Sequence, residues 1–334
     1  MEELDPVKKK RFRLFDSQRE GKGVEKSDID PTPNLKRFFR LYKDNLNKLL
    51  SLNILMVVGC FPLIFAVLAA SDVLTHSFNT PASDLYSLFR AMLVTKDSYS
   101  PADLVLIGID GLQVADSVRT IGNYIFWGIS LLTAFTFGIV NAGAAYITRN
   151  IVKGDPVFVY SDFVYAIRRN WKQALPFGIL DFILCILIPA DIMILMTNEG
   201  GLLNGVFLWA NIIFGILYVF MRFYIYVQMV TFDLKTVKIL KNSLIFALLG
   251  FKRNILAFLG IFILVFLALI FLFSAGGLLL PLGIAFPLIV LFSHSTFMGT
   301  YASYYKIKEI MIDPYQDTDG KDADCEDEAL TDAE

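Results

Sequence analysis

The 334-residue sequence predicts an all-α, polytopic membrane bundle of about six transmembrane helices with cytoplasmic interfacial helices. Three observations carry that prediction. The chain is 55% hydrophobic and 14% aromatic but only 19% charged, against about 25% charged in an ordinary soluble domain. Its apolar residues gather in blocks of about twenty, the length a helix needs to cross a bilayer. Lys and Arg are concentrated in alternate connections between these blocks, as the positive-inside rule requires of a multi-pass protein.

Residues 1–34 mix eight basic with eight acidic residues, end near Pro31 and Pro33, and read as a disordered cytoplasmic segment. The first apolar block therefore comes too late for a cleavable signal peptide. The predicted spans are 49–70, 121–147, 174–196, 203–227, 255–273 and 278–302. The last two are separated by residues 274–277 alone; fused, they would be too long for one crossing. A tight reversal at Ala275, Gly276 and Gly277 is expected instead. The outer loop 71–120 joins the first two spans, and a helix over 84–97 would set Leu85, Leu88, Phe89 and Met92 on one face suited to a bilayer surface. Residues 313–334 carry ten Asp or Glu against one Lys and read as a solvated, disordered acidic tail. Within it Asp317, Asp319, Gly320 and Glu326 match places in a calcium-hand loop, but Tyr315 stands at the first place, where Asp is normal. No amphipathic helix follows, and a chance match in an acidic tail is the simpler reading.

Of the 30 Lys and Arg residues, 26 fall on one side of the predicted topology. Only Arg90, Lys96 and Arg119 fall on the other, and Arg222 lies within a span. Both termini are accordingly expected in the cytoplasm. Three similar phrases precede the odd-numbered spans: FFRLYKDNLNKLLSLNIL (38–55), FVYAIRRNWKQALPFGIL (163–180) and IFALLGFKRNILAFLGIF (245–262). Asn45, Asn170 and Asn254 hold comparable places in them. An interfacial helix followed by a two-span hairpin, used three times, is one reading; convergence at the inner leaflet, where basic and aromatic residues are favoured, is the other.

A net charge of −2 provides no basic field for nucleic acid. Cys60, Cys185 and Cys325 are too scattered for a disulfide framework or a metal site. His76 and His294 are far apart, and neither HExxH, a Walker motif nor GxSxG occurs. The glycines at 21 and 23 lack the context of a phosphate loop. No enzyme activity, catalytic residue, metal or cofactor is expected. Charge inside a bilayer costs about 2.5–3.5 kcal/mol on insertion scales, so Asp181, Asp191 and Arg222 each need a partner or a purpose. Asp181 and Arg222 stand about equally far from the cytoplasmic ends of adjacent antiparallel spans and are expected to form an ion pair. That pair serves either as a clamp on helix register or as a gating or proton-linked element.

The segment FGIVNAGAAYITRNIVKGDPVFVYSDFVYAIRRNWKQALPFGILD (137–181) resembles the hallmark region of the YesL-like bacterial membrane proteins. The matching positions are Gly143, Tyr146, Arg149, Asp155, Asp162, Phe163, Asn170, Trp171, Lys172 and Gln173. The run LFDSQREGKGVEK and the phrase at 38–55 are similar to the lead-in of clostridial members. Together the similarity covers about two thirds of the chain, while the long outer loop departs from the shorter members. The resemblance names no chemistry. It implies a bacterial inner (cytoplasmic) membrane and an accessory role beside ABC-transporter subunits in carbohydrate uptake.

The residues themselves describe a cytoplasmic docking face over 148–173. Arg149, Arg168, Arg169 and Lys172 surround Asp155 and Asp162, with Phe163, Asn170 and Trp171 among them, in a connection of about 25 residues. Aromatic and Arg anchors of this kind serve protein interfaces, and they equally serve anionic lipid headgroups. The expected function is a non-enzymatic accessory of a transport or envelope complex. The alternatives are a small-solute transporter or channel using Asp181, Arg222 and Asp191, and a lipid-modifying enzyme, which would lack a nucleophile, base and metal ligands.

Overall fold

The computed structural model describes residues 33–71, 74–81, 83, 85–95, 98–110, 113–198, 201–273 and 279–314. The N-terminal segment 1–32, the acidic tail from residue 315 on with its calcium-hand match, and the reversal at Ala275, Gly276 and Gly277 lie outside them.

Asn34 opens the first helix: its side-chain oxygen accepts the Arg37 amide at 2.8 Å and caps α1 (Leu35–Asp44). One face of α1 turns Phe38 onto Phe297 and Tyr301, with ring centroids 5.4 and 5.2 Å apart, while Leu35 and Phe39 stay exposed. The chain breaks at Asn45 into α2 (Leu46–Gly59), then again around Pro62 into α3 (Leu63–Ala70), and the axes of α2 and α3 differ by 69°. Proline removes a backbone donor and crowds the preceding turn, which accounts for a bend there.

The connection over 71–120 holds two strands that the sequence pattern did not suggest. Strands β1 (Thr75–Pro81) and β2 (Gln113–Arg119) pair antiparallel, with Thr75 opposite Arg119 and Pro81 opposite Gln113. Helices α4 (Tyr86–Val94) and α5 (Pro101–Asp110) lie between them, α4 falling within the expected 84–97 stretch. The strands carry short polar residues with little period-2 apolar signal. What pairs them is the anchoring of their bases: Thr120 donates to the Leu74 carbonyl at 2.6 Å and Asn123 to that of Ala69 at 2.7 Å.

The remaining helices form the bundle. They are α6 (Ile121–Ser130), α7 (Thr133–Lys153), α8 (Val159–Thr197), α9 (Leu202–Thr231), α10 (Thr236–Leu249), α11 (Phe251–Leu272), α12 (Leu280–Phe286) and α13 (Phe292–Ile307). A π-helical turn, Pro287–Leu291, joins α12 to α13, and a second, Lys308–Ile312, follows α13. Five continuous apolar stretches are long enough to cross a bilayer: Ile121–Lys153, Val159–Thr197, Leu202–Thr231, Phe251–Leu272 and Leu280–Ile312. The bent α2–α3 pair, taken as one span, brings the number to six among the described residues. The protein is an all-α, multi-pass membrane bundle.

Two expectations are corrected. The connection over 148–173 is helical except for residues 154–158. Helix α7 runs on to Lys153, where Gly154 adopts φ +89° and the Gly154 and Asp155 amides bond back to the Asn150 carbonyl, a left-handed cap that stops the helix. The threefold pattern of interfacial helix and hairpin also differs. The chain breaks at Asn45 and at Gly250, but residues 163–180 run unbroken through α8, which is 39 residues long and continues through Pro176 and Pro189.

The core lies toward the end of the bundle that carries both described termini. It gathers Leu49 and Leu52 of α2, Ile147 and Ile151 of α7, Tyr224 of α9, Ile239 of α10 and Phe297 of α13. At the opposite end Ile186, Met193, Phe207 and Trp209 are exposed, as lipid-facing residues must be. Helices α7 and α8 form the tightest pair. A methyl group on Gly138 would fall 2.0 Å from the Ala174 carbonyl oxygen and 2.4 Å from the Gly178 Cα. Only two glycines let these backbones touch. Gly138→Ala and Gly178→Ala are each expected to cost about 1–3 kcal/mol and to lower the thermal midpoint in detergent. Gly205→Ala, where a methyl meets nothing within 4 Å, is expected to leave it unchanged.

Candidate functional site

On α9, Tyr218, Arg222 and Tyr226 recur every four residues and so form one stripe. The stripe faces Asp181 of α8, whose side chain is fully buried. Tyr218 donates its hydroxyl to Asp181 Oδ1 at 2.6 Å, and Tyr226 donates to Oδ2 at 2.5 Å. Arg222 Nε lies 3.0 Å from both carboxylate oxygens. Cys185, one turn further along α8, places its Sγ 3.6 Å from Oδ1. The guanidinium of Arg222 lies 5.1 Å from the ring centroid of Phe137 on α7 and 5.8 Å from that of Tyr226.

This arrangement meets the condition for a charge inside a bilayer. A carboxylate offers about four lone-pair sites, and here two phenols, a guanidinium and a thiol approach them. The cation is held in turn over aromatic faces. Asp181 is thus an anchored anion that locks α8 to α9 and, through Arg222 and Phe137, to α7. Its oxygens are occupied by the protein's own donors, so the geometry is that of a clamp and leaves little acceptor capacity for a passing solute. Tyr218 and Tyr226 were missed in the sequence reading, which looked for charge alone. The spacing Tyr-x3-Arg-x3-Tyr opposite a lone Asp was the available signal.

Asp191 takes a different position. It is exposed on α8, and its Oδ2 accepts from Asn211 Nδ2 of α9 at 2.7 Å. The pair sits on the wall of a cavity of about 490 Å³ otherwise lined by apolar residues such as Leu184, Ile188, Phe207 and Phe214.

A third polar cluster was not anticipated. Asn53 of α2, fully buried, donates to the carbonyls of Pro287 and Leu288 at 3.2 and 2.7 Å and accepts the Ser293 amide at 2.9 Å. One amide side chain thereby serves the π-helical turn, where the helical ladder is interrupted. His294 Nδ1 bonds the Val290 carbonyl at 2.5 Å, and its ring lies edge-on to Tyr42, 5.3 Å between centroids. Among the described residues no group of three His, Cys, Asp or Glu is placed to hold a metal ion.

The residues of the expected docking face divide into two sets. Arg149 turns inward: its Nη1 reaches the Val230 carbonyl at 2.8 Å and Thr231 Oγ1 at 3.4 Å, and its Nε and Nη2 hold Asn150 Oδ1. It lies over the Tyr146 ring at 4.7 Å and neutralises the negative end of α9. Asp162 accepts the Phe158 amide at 2.8 Å and caps α8, and Asp155 pairs with Lys153 at 2.9 Å. Phe163 is buried against Gly143, and Asn170 donates to the Ala166 carbonyl. The other set is exposed: Arg168, Arg169, Trp171 and Lys172, together with Tyr160 and Tyr165. Arg169 Nη1 holds the Tyr165 hydroxyl at 3.1 Å.

No family model, curated protein or solved structure matches the chain.

Removing one partner of a buried ion pair leaves the other uncompensated and typically costs about 3–5 kcal/mol. Asp181→Asn and Arg222→Gln are each expected to destabilise the fold by about that much, read out as lower abundance and a lower melting temperature. Tyr218→Phe and Tyr226→Phe should each cost about 1.5–3 kcal/mol, as bonds to a charged acceptor do. The double variant Asp181→Leu/Arg222→Met should melt closer to the parent than either single charge variant. Unchanged melting of Asp181→Asn would rule out the clamp.

Proposed function

We propose that this chain is a non-enzymatic accessory protein of a bacterial transport system, and that it resides in the cytoplasmic membrane with both termini inside. The observation that supports it best is the exposed basic and aromatic face on the first half of α8. A 39-residue helix is roughly 58 Å long at about 1.5 Å per residue, whereas the hydrocarbon layer is about 30 Å thick. The segment around Arg168, Arg169, Trp171 and Lys172 thus extends beyond the lipid core. It presents Arg and aromatic side chains of the type enriched at interface hot spots. Its Trp and Tyr rings also suit the headgroup layer, so lipid contact and partner contact share this face.

The Lys and Arg asymmetry supports the orientation. Arg149, Lys153, Arg168, Arg169 and Lys172 fall at the end that carries both described termini, and the hairpin of β1 and β2 falls at the other. The resemblance of residues 137–181 to the YesL-like proteins supports carbohydrate ABC-transporter subunits as the partner class. A second reading, a path for a small solute, has one observation in its favour: the Arg222 side chain is 30% exposed.

Two measurements test this function. In a cysteine-free background, an impermeant maleimide should label Ser117→Cys in intact spheroplasts and Arg168→Cys only after permeabilisation. The reverse pattern would overturn the orientation. Purification in mild detergent from native membranes should recover permease or ATPase subunits in stoichiometric amount, and Arg168→Ala/Arg169→Ala should lose them. Recovery of the chain alone, together with solute flux in proteoliposomes abolished by Arg222→Gln, would favour the second reading.

A further inference from the structure

The end of the bundle that carries both described termini contains a cavity of about 530 Å³, apart from the α8 face and from the Asp181 clamp. Four cations line it from four elements: Arg37 of α1, Lys153 of α7, Arg253 of α11 and Lys308 of the turn after α13. Two carboxylates share the lining, and both have lysine partners. Glu309 pairs with Lys306 at 3.0 Å, and Asp313 lies 3.9 Å from Lys308. Lys153 is engaged with Asp155.

Two donors on the same wall remain unanswered. Arg253 Nη1 and Tyr305 Oη are both buried, and no described residue accepts a hydrogen bond from either, although the Arg37 guanidinium approaches the Tyr305 hydroxyl as a donor. Both residues line the cavity. Arg37 lies over the Tyr305 ring at 5.4 Å and adds a fixed positive charge beside that hydroxyl. A buried donor without an acceptor loses its hydration and gains nothing in exchange, and the loss is largest for a charged group. Two such donors beside one cation-rich cavity are arranged to receive an acceptor that the described residues do not supply. The acceptor must be anionic, because the lining carries a net positive charge. It must also offer several oxygens in a compact group, because a guanidinium and a phenol approach it from different elements.

We propose that this cavity is a binding site for a phosphate oxyanion, held by Arg253 and Tyr305 with Arg37 and Lys308 supplying charge. Guanidinium groups match phosphate geometry through paired N–H donors. The site adjoins α1, whose exposed Leu35 and Phe39 suit a bilayer surface, so the phosphate of an anionic lipid is within reach. Free inorganic phosphate shares the same chemistry.

The test uses the full chain, delipidated in detergent and followed by thermal unfolding while phosphatidylglycerol, phosphatidylcholine or inorganic phosphate is added. Phosphatidylglycerol is expected to raise the midpoint, and phosphatidylcholine to do so much less. Arg253→Gln should weaken the phosphatidylglycerol effect by tenfold or more in apparent affinity, Tyr305→Phe by severalfold, and Lys238→Gln, exposed on α10, not at all. If inorganic phosphate alone reproduces the shift and Arg253→Gln removes it, the site stands with free phosphate as its source. Should Arg253→Gln fail to fold, Tyr305→Phe and Lys308→Gln read the same site. A shift that survives these substitutions, or no shift with either phosphate compound, would overturn the assignment.

Discussion

The packing of the membrane layer turns on the burial of one carboxylate. Asp181 is tolerable in an apolar layer only because α9 answers it with a guanidinium and two phenols, and that answer fixes the rotation and height of α9 relative to α8. The same guanidinium rests on Phe137, and the next residue, Gly138, meets Gly178 at backbone contact. Close approach and charge satisfaction therefore reinforce each other. The glycines let α7 come near enough for Phe137 to cover the cation, and the cation fills the space beside them. In lipid there is no hydrophobic drive between helices, so such contacts carry the specificity.

Satisfaction of polar groups also explains how the last span accommodates its irregular turn. Pro287 begins a stretch whose hydrogen bonds follow the wider π pattern, and Asn53 reaches from α2 to serve its carbonyls. Thr148 and Thr300 join hydroxyls at 2.9 Å between α7 and α13, and Tyr224 bonds Asn254 at the start of α11. Gly250 has no side chain because the Tyr224 hydroxyl would lie 2.1 Å from a methyl there. These bonds tie α2, α7, α9, α11 and α13 to a common centre on the side of the bundle that bears the termini. The opposite side, with fewer such links, opens toward lipid.

The basic residues at that end have separate tasks despite their shared charge. Arg149 is committed to the carbonyl end of α9. Arg168, Arg169 and Lys172 are exposed on α8. Arg253 faces a cavity between helices. Their shared charge groups them in the sequence, but only their surroundings distinguish a helix cap from an exposed side chain or one that lines a cavity.

Apolar length alone located the crossings, because a bilayer imposes a minimum span that no local propensity overrides. The depth of Asp181 and Arg222 could likewise be counted along their helices. The sequence also carried the tyrosine spacing around Arg222, although charge drew attention away from it. Tertiary structure decided the rest. Whether Arg149 and Phe163 pointed inward depended on which helix packed beside them, and that depended on glycines whose role is invisible until two backbones meet. The two paired strands arose from the anchoring of their bases, since their own side chains hold little pattern. The cavity at Arg253 exists only where four elements distant in the chain converge, and no periodicity along one segment encodes such a convergence.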